Sequence, residues 1–179
     1  MSAAAQVGPV MPMAAHRDLD GLDVVGLLGP EQLLAAIAGH LAHGSVLIEW
    51  ARELGDLHAA LLTSALGWQH PVDYNEADLR NQIVQVICQI DEWAVFRLPR
   101  PSGARRHTHS LGEVISHVAK NFAAAWWTIR HTDDEQLRHE AWFHLGQVRE
   151  GYADLVADIH ARRVELPLGW RGITPPRVT

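Results

Sequence analysis

The 179 residues suffice for one domain with a real core, and a composition of 47% hydrophobic and 20% charged side chains is that of an ordinary soluble globule. A net charge of −6 argues against a general nucleic-acid binder, and a single cysteine, Cys88, excludes both a disulfide framework and a cysteine-rich zinc site. The chain has no run of about 18 apolar residues to span a membrane and no basic segment ahead of an apolar run to read as a secretory signal, so a reducing cytoplasm is the expected setting.

Residues 1–28 are punctuated by Ala, Gly and Pro and are expected to be loosely ordered. Gly29-Pro30 opens a first helix, Glu31 to about His43, because proline suits the first helical turn. Ser45 caps a second helix to about Leu66, whose Leu47, Ile48, Trp50, Leu54, Leu57, Leu61 and Leu62 form a helical stripe. Gly67 to Tyr74 reads as a loop. Asn75 caps a third helix to about Phe96, and Pro99 and Pro101 end it. Ser110 with Glu113 makes a capping box for a fourth helix to about Ile129. Thr132 with Glu135 repeats that pattern before a long fifth helix, about Asp133 to Arg163, stopped by Pro167. Residues 168–179 form a Pro/Gly-rich tail. No segment has strand periodicity, so the fold class is all-α: residues 29–167 form a single antiparallel bundle of four to five helices.

Two residue types are abundant, with 12 His and 7 Trp. The tryptophans are expected mainly in the core; of the adjacent pair Trp126-Trp127, which must point about 100° apart, at least one is expected to be buried. Trp127 is a candidate for lining a ligand pocket. Cys88, among apolar neighbours in mid-helix, is expected to be a buried, inert thiol. Tyr152, Asp154 and Asp91 are expected to hydrogen-bond within the bundle.

Chemistry-bearing groups converge at the start of the fourth helix. His107, His109, Ser110, Glu113 and His117 follow a loop carrying Arg100, Arg105 and Arg106. A helix N-terminus attracts anions, so Arg105, Arg106, Ser110 and Glu113 are candidate substrate-binding groups. The imidazoles of His107, His109 and His117 are candidate proton-transfer groups, with His58 as a contributor from a neighbouring helix. The same three histidines are a candidate transition-metal set, although His117 lies two turns, about 11 Å of rise, beyond the triplet. A di-iron centre lacks its Glu-x-x-His pairs, His139-Glu140-Ala-Trp-Phe-His144 is one residue too long for the zinc-protease motif, and no motif supports haem.

The stretches Glu53-Leu-Gly-Asp-Leu-His58, Ile90-Asp-Glu-Trp93, Leu98-Pro99, His107-Thr108, Gly112, Gly151-Tyr-Ala-Asp-Leu-Val156 and Leu166-Pro167 occur in order over about residues 45–167. In this series the chain resembles the actinobacterial branch of the uncharacterised bacterial domain-of-unknown-function family numbered 4254. The resemblance implies an all-helical fold and carries no activity. It also implies three departures: His109 replaces the family's Glu, Ser116 its Asp, and His117 its Arg. Two carboxylates and a guanidinium thus become two imidazoles and a hydroxyl.

The expected function is that of a small specialised bacterial enzyme. It would act on an anionic or aromatic low-molecular-weight metabolite by histidine acid–base chemistry at the start of the fourth helix. No cofactor is favoured, and a transition metal is possible. The alternatives are a histidine-ligated metal or haem enzyme, and a non-catalytic ligand-binding or scaffold protein. A homodimer joined through a Trp-rich helix face is the expected assembly, with no nucleic-acid or membrane partner.

Overall fold

The computed structural model describes residues 26–41, 44–66 and 75–167. The expected loose segment up to residue 25, the 67–74 loop and the 168–179 tail lie outside them. The chain is all-α: α1 (Pro30–Ile37), α2 (Val46–Ala65), α3 (Glu76–Arg97), α4 (Leu111–His131) and α5 (Glu135–His160) form a bundle, with β1 (Arg105–Arg106) and β2 (Val164–Glu165) beside it.

Local signals set most helix ends. Pro30 takes the first position of α1 and Gln32 reaches back to accept from the Gly29 amide at 3.0 Å. The helix stops at Ile37, short of the expected His43, because Gly39 turns left-handed at φ 75°. The Asn75 side chain accepts from the Ala77 amide to start α3. α5 starts later than expected. Asp134 is its cap, accepting from Gln136 and Leu137, while Thr132 accepts from the Asp134 amide one step upstream. Its other end falls at His160, and Arg162, at φ 55°, redirects the chain into β2.

α4 is the hub and packs against all four other helices. Its Leu111, Ile115, Val118 and Ala119 are fully buried, and they meet Leu47, Ala51 and Leu54 of α2, Val86 and Ile90 of α3, and Tyr152 and Ile159 of α5 in one core. Leu27 and Leu28, expected in the loose segment, are part of it at 1% exposure, and the buried Tyr152 hydroxyl donates to the Leu28 carbonyl at 2.8 Å. Two glycines let backbones close up. A Cβ on Gly55 would stand 2.8 Å from the Ile37 carbonyl oxygen, and one on Gly112 would stand 2.5 Å from that of Ile87.

Three expectations are corrected. Cys88 is exposed; α3 buries one narrow stripe, and Cys88 sits about 200° round the helix from Val86. The described tryptophans divide: Trp50 and Trp93 are half-buried and pack against the core as expected, Trp127 is half-buried outside it, and Trp126 and Trp142 are exposed. Trp126 and Trp142 stay exposed because α5 buries no side chain before Leu145, so the far end of the α4–α5 hairpin has little to pack against. Finally, β1 and β2 pair in parallel, Arg105 with Val164 and Arg106 with Glu165. A two-residue ladder between distant segments leaves no alternation in sequence. Among the described residues, no helix is long and apolar enough to cross a membrane.

Candidate functional site

The start of α4 is over-determined. Ser110 Oγ accepts from the Glu113 amide at 3.2 Å and Glu113 Oε2 accepts from the Ser110 amide at 2.8 Å, the capping box expected from sequence. Asp91 of α3, 8% exposed, accepts from the Gly112 amide at 2.7 Å. Burial pushes the Asp91 carboxyl above its usual range, while the Ser110 and Gly112 hydrogen bonds pull it back. Ser110 and Glu113, candidates for binding a substrate, are thus committed to holding the helix end.

The two arginines expected to hold an anion already face carboxylates. Arg105 lies 3.4 Å from Asp158, which also holds Arg163 at 2.7 Å, and Arg106 lies 3.7 Å from Glu165. Arg100 donates to the Val95 carbonyl.

The histidine triplet does not close into a ligand set. His107 Nδ1 stands 2.8 Å from the His109 carbonyl oxygen, and the His109 ring nitrogen Nδ1 stands 2.9 Å from Thr108 Oγ1. The two rings are 6.1 Å apart between centroids. His117 projects from the exposed side of α4 toward Asn121, 3.2 Å away. Among the described residues, no three His, Cys, Asp or Glu side chains are grouped to hold a metal ion. Two helical turns separate His117 from the triplet.

His58 is placed differently. Its Nε2 lies 2.9 Å from Ser116 Oγ, linking α2 to α4. Ser116 is 7% exposed and His58 is half-buried. Burial, with the nearby Lys120 ammonium second, lowers the imidazole to about 4, so His58 is neutral at pH 7. Ser116, Lys120, Ala123 and Trp127 recur at intervals of four, three and four residues and share one stripe of α4. Trp127 stacks on His131 at 4.7 Å.

Sequence reading singled out His58 and passed over its partner, registering Ser116 only as the loss of a carboxylate. The signal available was helical: a small polar residue inside the buried stripe of α4, with a lysine one turn on.

An open cleft of about 410 Å³ lies against the outer side of α2, lined by Glu49, Arg52, Glu53, Asp56, Leu57 and Gln82 among others. A narrow apolar one of about 20 Å³ runs between Leu98, Pro99, Val164 and Leu166. Neither is lined by the histidine triplet. No protein-family model, curated protein or solved structure matches this chain.

Proposed function

We propose that the chain is a small metal-free enzyme acting on a low-molecular-weight metabolite by histidine acid–base chemistry, with His58 and Ser116 as its working pair. The observation that carries this reading is the 2.9 Å contact between a neutral imidazole and a largely buried hydroxyl. A neutral ring nitrogen can take a proton, and a hydroxyl beside it can orient the ring or relay the proton. His107, His109 and His117 shape the surface around the start of α4 and are not the proton-transfer centre. Cys88 as a lone exposed thiol supports a reducing cytoplasm as the setting.

The test is a screen of metabolites by thermal shift, followed by turnover assays on the hits with His58→Gln and Ser116→Ala. Loss of about 10²-fold or more in kcat with ligand binding retained is the expected result for His58→Gln. Undiminished turnover in that variant rules out the pair. Binding with no turnover in the unmodified chain moves the protein to the ligand-binding or scaffold class.

We also propose that the chain pairs with a second copy through the far end of the α4–α5 hairpin. Trp126 (48% exposed), Leu137 (47%), Trp142 (53%) and Phe143 (58%) lie there. Their exposed parts add up to roughly 400 Å² of apolar surface spread around that end, within the range a monomer ordinarily shows and about half of one side of a standard interface. Sedimentation velocity on the full chain should give a dimer, and a Trp126→Lys/Trp142→Lys variant should give a monomer.

A further inference from the structure

We infer that Lys120 holds an anionic oxygen group of the ligand against the His58–Ser116 pair, so that the site takes small-molecule acids. This rests on the reading of His58 and Ser116 as the working pair and adds to it the class of ligand. The placement comes from α4 itself. Lys120 follows Ser116 by one turn on the side of the helix whose hydroxyl meets His58. Its field reaches the imidazole.

Several other charged groups of the bundle are already engaged. Asp91 of α3 and Glu113 of α4 are turned to amides at the start of α4. Arg105, Arg106, Arg149 and Arg163 each face a carboxylate. Among the described residues, Lys120 has no such counter-ion. It is exposed, one turn from the hydroxyl that meets an uncharged imidazole, and an oxyanion there gains one ionic contact and at most one hydrogen bond from the pair. Trp127 lies on the same stripe, three turns (about 16 Å of rise) beyond Ser116 and two beyond Lys120.

Neutralising Lys120 also makes His58 a better base. The ammonium disfavours the imidazolium, and an anion bound to it relieves that penalty. Binding and proton uptake are therefore coupled: the acid that arrives raises the proton affinity of the group that would act on it.

The experiment uses sulfate, which stays fully ionised across the range of interest. The His58 ring signal, assigned by its absence in His58→Gln, is followed by NMR between pH 3.5 and 7 in sodium sulfate and in sodium chloride of equal ionic strength. Sulfate should raise the His58 midpoint saturably, by about half a pH unit or more. Lys120→Gln should raise the midpoint in chloride and abolish the sulfate effect, whereas Lys120→Arg should keep it. No saturable response in the unmodified chain, or an undiminished one in Lys120→Gln, overturns the inference. That failure is separable from failure of the enzymatic reading, which is decided by turnover in His58→Gln.

Discussion

His58 Nε2 and Ser116 Oγ meet at 2.9 Å across the α2–α4 interface, 58 residues apart in sequence. The contact ties two core helices through polar atoms that the surrounding leucines and isoleucines cannot replace. Ser116→Ala removes one partner and leaves a half-buried ring nitrogen without it. The expected cost is about 1–2 kcal/mol in urea unfolding. Ser116→Cys, which keeps the volume and a weak donor, should cost less.

A carboxylate in place of the hydroxyl reverses the electrostatics. Ser116→Asp puts a negative charge beside the imidazole, and an ion pair favours its charged form. The His58 midpoint, about 4 in this chain, should then move above 6.5 in an NMR titration. A midpoint that stays near 4 would mean that burial overrides the new pair.

The lowered His58 midpoint fixes the sign of a pH effect on stability. Between 6.5, the ordinary value, and about 4, the unfolded chain binds a proton that the folded chain refuses. Stability from this group is therefore complete above 6.5 and drains away as pH falls toward 4. The loss is on the order of 1–2 kcal/mol after allowance for solvent screening of a ring that is partly exposed. Asp91, raised by burial, acts in the opposite direction, losing stability as pH rises through its folded midpoint. The informative comparison is thus the unmodified chain against His58→Gln, whose unfolding free energy should slope less with pH over that interval.

Glycine positions separate tight contact from open space. Gly112→Ala drives a methyl to 2.5 Å from the Ile87 carbonyl oxygen, and both groups are backbone-borne. Thermal or urea unfolding should show a loss of about 2–3 kcal/mol, with α4 displaced from Asp91. Gly146→Ala in α5 meets nothing within 4 Å and should stabilise by about 0.5–1 kcal/mol through helix propensity.

What could be read from sequence was what is written locally. The Ser110–Glu113 box and the Asn75 cap act over two or three residues, and both appear where the pattern put them. The end of α1 was missed because Ala38 and Leu41 prolong an apolar pattern that the left-handed Gly39 interrupts. The site was half-legible. His58 stood out, but its partner is fixed by how α2 and α4 dock, a relation that no spacing along the chain encodes. Arg105 and Arg106 looked available for an anion because the carboxylates that occupy them, Asp158 near the end of α5 and Glu165 beyond the turn after it, are more than 50 residues away in sequence. Trp126 and Trp142 looked like core because sequence periodicity does not say where the neighbouring helices stop.

The parallel ladder has a mechanical meaning. The loop between α3 and α4 and the helix start that follows it are each held: Asp91 accepts from the Gly112 amide in the first turn of α4, and the segment after α5 holds the loop itself, its Glu165 carbonyl receiving the His107 amide at 2.9 Å. A lengthwise slide of α5 along α4 would therefore pull on the His107–His109 backbone directly, bypassing the apolar interior. The two short strands act as a drawbar coupling one end of the longest helix to the mouth of the central one.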